Sequence, residues 1–174
     1  ASGQVPSSSL SVDVTYDVLR TVTTPASKVI NKNRFVKINT TTNPKGPWCL
    51  GFSDIHQIRK VYASSNGTYT TSGSDVTSNF NYDTGQKDTH YDLGYIRPVG
   101  LGIASGDYLL VELDYFAPVY TGRSAYFSID SYPIQDNETL ATSSTIRTEN
   151  VPLFTSPVTQ LQYDLRNHID FRPV

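Results

Sequence analysis

The chain has 174 residues and a mass of 19.3 kDa, the size of one domain. Apolar residues make up 37% and charged residues 17%; hydroxyls fill the shortfall, with 19 Ser and 20 Thr, while Tyr stands at 12, Asp outnumbers Glu 13 to 3, and Met is absent. Thr and Tyr suit strands, and Asp and Ser suit turns, so a helical bundle is excluded; a net charge of −2 and a pI near 5.9 exclude nucleic-acid binding through a basic face.

Residues 1–9 are polar and rich in Ser and Pro, and read as a flexible N-terminal segment; residues 10–174 read as a single β-domain. The first predicted strand is Leu10 to Leu19, where Leu10, Val12, Val14, Tyr16 and Val18 share one face and Ser11, Asp13, Thr15 and Asp17 the other. Lys28–Ile30 and Arg34–Ile38 follow as short strands, with Asn31-Lys32-Asn33 between them as a hairpin loop, because Asn tolerates the left-handed backbone of a tight turn. Cys49, the sole cysteine, has no internal disulfide partner and is expected to be a small buried hydrophobe in Trp48-Cys49-Leu50. Ser53 to Tyr62 leaves its start open: a helical turn capped by Ser53 or Asp54 could precede the strand candidate Ile58–Tyr62.

Tyr91–Ile96 is the next strand candidate. Tyr108 to Phe116 is the second clear one: Leu109, Val111, Leu113 and Tyr115 point one way, and Leu110, Glu112, Asp114 and Phe116 the other, so cover on both faces is predicted. Tyr126–Ser131 completes the strands, with Phe127 and Ile129 expected in the core beside Val12, Val14, Leu109, Val111 and Leu113. Residues 135–150 contain almost no apolar side chain and read as a long surface loop. At the end, Leu161, Leu165 and Ile169 follow helical spacing, yet Tyr163, Leu165, Ile169 and Phe171 also alternate with Asp164, Arg166, Asp170 and Arg172 as in a strand. Leu165, Ile169 and Phe171 are expected to be buried, which makes this segment an integral closing element rather than a linker. Frequent turn signals between short strands give the fold class: all-β, mainly antiparallel, a β-sandwich or barrel with long loops and at most one or two short helices.

Chemistry is harder to find. His56, His90 and His168 have no metal-type spacing, and no His-Glu-x-x-His, Gly-x-Ser-x-Gly or phosphate-loop pattern occurs. The sequence therefore assigns no catalytic, cofactor-binding or metal-binding residue. The densest polar stretch runs from Asn81 to Gly94. Asp83, Asp88 and Asp92 there admit two readings: oxygen ligands gathered around calcium, or a turn network in which Asp side chains cap amides and pair with Lys87 or Arg97. Gly85 is expected at positive φ within it. No stretch reaches the ~20 apolar residues of a membrane span, so membrane insertion is not expected. Exposed Tyr side chains would suit a glycan-binding face.

Several segments together resemble an uncharacterised domain of large virion structural proteins of contractile-tailed bacteriophages, tail-fibre or baseplate components. They are residues 50–62, Asn81 to Arg97, Val111 to Phe116, Tyr126 to Pro133 and Tyr163 to Pro173. The Asp83-Thr-Gly-Gln-Lys-Asp88 stretch with Tyr91-Asp-Leu-Gly94, and the closing Leu165-Arg-Asn with Asp170-Phe-Arg-Pro173, are the most specific parts. The resemblance implies a structural role without catalysis, in the virion and assembled in the host cytoplasm. It also implies that the chain is a fragment of a longer protein. Its expected partners are other tail or baseplate proteins, further copies of itself, and a host surface receptor or glycan. The alternative it leaves open is a receptor- or glycan-binding domain of a phage fibre.

Overall fold

A computed structural model of the protein describes residues 24–65, 67–99, 107–122, 124–137 and 143–174. The predicted strand over Leu10 to Leu19, with Val12 and Val14, lies outside the described residues. The described residues form nine strands: β1 (Ser27–Asn39), β2 (Trp48–Ser53), β3 (Ile55–Ser64), β4 (Ser74–Asp75), β5 (Phe80–Asp83), β6 (Leu93–Pro98), β7 (Tyr108–Val119), β8 (Leu153–Thr155) and β9 (Gln162–Asp164). All ladders between them are antiparallel, in three sheets ordered β1-β7-β3-β4, β2-β6-β5 and β8-β9. Among the described residues, helix is confined to 3-10 turns of three residues at Thr77–Asn79, Ile129–Ser131 and Thr148–Asn150. None is long and apolar enough to cross a membrane.

The architecture is sandwich-like because β1, β3 and β7 in one sheet and β2, β5 and β6 in another each turn one apolar face to a common core. Ile38, Val61, Leu109, Val111 and Leu113 meet Trp48, Leu50, Phe80 and Ile96 there. β7 is the central strand, hydrogen-bonded to β1 on one edge and β3 on the other. Its opposite face is covered as well: Phe116 packs with Ile30, Tyr132, Ile146, Val151, Phe154 and Leu165 in a second core built by the C-terminal third. Both-sided cover explains why the strand reads as an almost continuous apolar run.

Four local expectations are corrected. Residues 27–39 form one strand, and Asn31–Asn33 is a register shift within it rather than a hairpin. Asn33 does take the left-handed backbone (φ 55), but its N–H donates to Asp114 Oδ1 on the neighbouring strand, which makes the irregularity a bulge. No helical turn opens residues 53–62: Asp54, at φ 49, is a corner where the chain leaves the β2 sheet and enters the β3 sheet. Tyr126–Ser131 is not a strand; Phe127 forms an isolated bridge to Asp170, and Ser128 and Ser131 cap the following 3-10 turn reciprocally. Phe127 is buried as expected, while Ile129 is half-buried against the second core. The stretch read as a surface loop carries Ile146, which bridges Ile134 and is buried in the second core.

Cys49 is also corrected. In β2 it alternates with the buried Trp48 and Leu50 and so faces outward, exposed. Strand parity, not residue type, decides its burial.

Candidate functional site

Parity also places a charge inside. In β1, Ala26 (just before the strand), Lys28 and Ile30 share the inward face, leaving Lys28 only 3% exposed while Val29 points out. A buried ammonium requires partners. Lys28 Nζ donates to Asp54 Oδ2 at 2.6 Å, to Tyr91 Oη at 3.1 Å and to Tyr132 Oη at 3.4 Å. Aromatic rings complete the enclosure, with the Phe127, Tyr91 and Tyr132 centroids 4.4, 4.6 and 4.9 Å from Nζ.

Asp54 reaches this cage from the sheet-to-sheet corner. Its backbone is fixed on both sides: the Phe116 N–H donates to its carbonyl at 3.0 Å, and the Ile55 N–H donates to the Thr84 carbonyl at 2.9 Å. Gln86 Nε2 donates to its second carboxylate oxygen, Oδ1, at 2.7 Å. Gln86 is in turn placed by the turn before it. Gly85 has φ 85, and a Cβ there would lie 2.1 Å from the Asp92 carbonyl oxygen, so only glycine fits. The Asp92 N–H closes that turn by donating to the Gly85 carbonyl at 2.6 Å.

The closing segment supplies the other half. Phe127 and Asp170 exchange backbone hydrogen bonds at 2.7 and 2.8 Å, and the Tyr91 N–H donates to the Pro173 carbonyl at 2.8 Å. Docked this way, Asp170 accepts the Tyr91 hydroxyl on Oδ2 and a bidentate fork from Arg172 at 2.9 and 2.8 Å. Arg172 extends to the Lys87 carbonyl at 2.9 Å and Gln86 Oε1 at 3.3 Å, with its guanidinium 4.1 Å from the Phe154 ring centroid. Lys28 and Arg172 balance Asp54 and Asp170, so the buried quartet carries no net formal charge. Among the described residues, no buried side-chain polar atom lacks a partner.

The electrostatics follow from burial and these pairs. Burial, reinforced by the negative charges of Asp54 and Asp170, raises the Tyr91 and Tyr132 phenols above their ordinary range, so both remain protonated. Burial pushes Asp170 upward, but the Arg172 fork and the Tyr91 hydroxyl outweigh it and leave the carboxyl below its usual range. Arg172 is raised despite the opposing effect of burial, through its bond to Asp170.

Two surface depressions flank this junction and share Phe154 as a wall. One, of about 630 Å³, takes in His56, Asp83, Lys87 and Arg97; the other, of about 700 Å³, is lined by Asp88, Tyr163, Leu165, His168, Ile169 and Phe171 among others. Burial lowers His56, against the pull of Asp114 and Asp54, so it is neutral at pH 7.

The candidate calcium residues do not converge. Asp83 binds Lys87 at 2.6 Å and the Gly85 N–H at 2.9 Å; Asp92 accepts from the Leu93 N–H; Asp88 lines the second depression. Among the described residues no three potential ligands of the His, Cys, Asp and Glu types gather. The segment is a turn network, with Gly85 at positive φ as expected.

The closing segment needs correction. Leu165 is buried, but Ile169 and Phe171 are 60% and 70% exposed, and their polar neighbours Asp170 and Arg172 point inward. A turn at Asp164–Asn167, closed by the Asn167 N–H on the Asp164 carbonyl at 3.0 Å, switches the inward parity between Leu165 and Asp170. The polar junction was missed in the sequence, although the Ala26, Lys28, Ile30 alternation was there to be read.

Comparison with family models, with curated proteins and with solved structures finds no match to this chain.

Proposed function

We propose that this chain is a structural module of a tailed-bacteriophage virion, a tail-fibre or baseplate component that acts through protein–protein assembly and host attachment rather than catalysis. One observation carries this reading. Four of the five segments on which the resemblance rests, residues 50–62, 81–97, 126–133 and 163–173, send Asp54, Gln86, Tyr91, Tyr132, Asp170 and Arg172 to a single buried junction. Their polar atoms are occupied by one another and by Lys28. The motifs therefore specify how the sheets and the closing segment are tied together, which is what a load-carrying module in a particle requires.

The surface supports the same reading. Val158, Leu161, Ile169 and Phe171 are large apolar side chains left exposed in the C-terminal third, the kind of residues that assembly contacts cover. Antibodies raised against the purified chain test the proposal on intact phage particles by electron microscopy. Label confined to the tail fibres or baseplate is the expected result; particles that never take up label would remove the virion assignment. Strong, saturable binding to host-surface glycans by the isolated chain would instead favour a receptor-binding domain.

A further inference from the structure

We propose that Lys28 and Asp54 condense within the folded protein to form an intramolecular isopeptide bond, Nζ of Lys28 to Cγ of Asp54. This goes beyond the proposed function and does not depend on it. Lys28 Nζ lies 2.6 Å from Asp54 Oδ2 with both side chains essentially removed from solvent, so the nucleophile is held beside the carboxyl group it would join. Ordinary surface ion pairs lack two further features found here.

The first is alignment of the nucleophile. The three Nζ hydrogens are directed to Asp54 Oδ2, Tyr91 Oη and Tyr132 Oη. When the hydrogen on the shortest of these contacts passes to Oδ2, the nitrogen lone pair is left pointing at Oδ2, and a shift of Nζ by one bond's breadth brings it onto Cγ. Tyr91 and Tyr132 hold the remaining two hydrogens, and Tyr91 is fixed by its own hydrogen bond to Asp170. The second is a donor for the developing charge. As Nζ adds to Cγ, Oδ1 becomes the oxyanion, and Gln86 Nε2 already donates to that oxygen at 2.7 Å. Asp54 itself sits at φ 49, a left-handed backbone uncommon for a non-glycine residue and a frequent mark of a functional position.

The step balances without a co-reactant. The ammonium gives one proton to Oδ2, leaving an amine and a carboxylic acid. The N–C bond forms, one nitrogen hydrogen moves to Oδ2, and the C–Oδ2 bond breaks. Ammonium and carboxylate thus become a secondary amide and one water. The aromatic enclosure of Tyr91, Phe127 and Tyr132 keeps bulk water from the linkage, which favours condensation over hydrolysis. The product would tie β1 covalently to the corner between the two sheets.

The test is the mass of the intact wild-type chain, folded by circular dichroism, incubated, then denatured and measured. The expected mass is that of the sequence less one water, with a branched tryptic peptide joining residues 21–32 to residues 46–59. Lys28→Arg, which keeps the charge but removes the amine, should retain the full mass. Asp54→Asn should condense with loss of ammonia instead of water, a signature that no ion pair produces. A folded wild-type chain that keeps its full mass overturns the proposal; so does loss of water without the branched peptide, which would mark an internal imide.

Discussion

The carboxylate of Asp114, wholly buried in the central strand β7, accepts Nε and one terminal NH2 of Arg59 on β3, each at 2.7 Å. Gln57 Nε2 at 2.7 Å and the Asn33 N–H at 2.8 Å fill its remaining acceptor sites, so one side chain ties the bulge of β1 to β3 across β7. Asp114→Ala leaves the part-buried Asn33 N–H and Gln57 amide without this acceptor and Arg59 without its carboxylate. The expected cost is about 3 kcal/mol, as for other broken buried polar networks. Arg59→Ala should cost less, because the Arg59 side chain is a third exposed and two donors still serve the carboxylate. Urea denaturation of the two variants checks the order; equal losses would contradict this account.

Val111 lies opposite Val36 on β1 and Val61 on β3 and is fully buried in the first core. Val111→Ala removes two methyl groups where strands on both sides hinder collapse. A loss on the order of 1–3 kcal/mol is expected, with the denaturant m-value unchanged. A neutral outcome would mean that the two sheets do not close on one core.

Acid should destabilise the protein in two stages. His56 is held below its ordinary range by burial, so the unfolded chain binds more protons than the folded one once the pH falls below about 6.5. Stability therefore declines as pH falls from neutral toward 5, and His56→Gln should flatten that portion of the curve. Asp114 and Asp170 are pushed up by burial but brought below the usual carboxylate range by their Arg, Gln, Tyr and amide partners. Their contribution is complete above the unfolded value of about 3.9 and is lost as pH drops through the lower folded values. Thermal midpoints measured across pH 3 to 8 on both chains test this; a flat wild-type profile between pH 5 and 7 would remove the His56 assignment.

What could be read from the sequence was local periodicity. Leu109, Val111 and Leu113 were identifiable because their alternation runs unbroken through a central strand. The bulge at Asn33 was not, since the left-handed Asn of a tight turn and of a bulge look the same; pairing with β7, roughly eighty residues away, decides between them. The inward parity of Lys28 was legible, but the partners it meets were not, for the same reason. Asp54, Tyr91 and Tyr132 are separated from it by 26, 63 and 104 positions, and no spacing rule connects them. Phe171 was misjudged because alternation was carried through a turn that reverses it.

Cys49 offers a direct check of strand parity. It is exposed on β2, with Tyr95 opposite it on β6, while its neighbours Trp48 and Leu50 are core residues. A thiol reagent such as DTNB should therefore label it stoichiometrically in native buffer, at a rate close to that seen in denaturant. Protection until unfolding would place β2 one residue out of register and turn Trp48 and Leu50 to solvent.

Asp170 and Phe171 are adjacent in sequence, and the fold assigns them opposite fates. Phe171 is exposed, touching Tyr126 with ring centroids 5.8 Å apart, so Phe171→Ser should change stability by less than about 1 kcal/mol. Asp170→Ala strips the partner from a largely buried Arg172 and the acceptor from the Tyr91 hydroxyl. A buried guanidinium without its carboxylate would then remain, at an expected cost of about 3–5 kcal/mol. Replacing Arg172 as well, as Asp170→Ala with Arg172→Met, removes the orphaned charge and should recover part of that loss, which distinguishes charge imbalance from simple truncation. Hydrophobicity alone would rank Phe171 above Asp170 in this segment. Denaturation curves that returned this ranking would show that the closing segment docks through its apolar side after all.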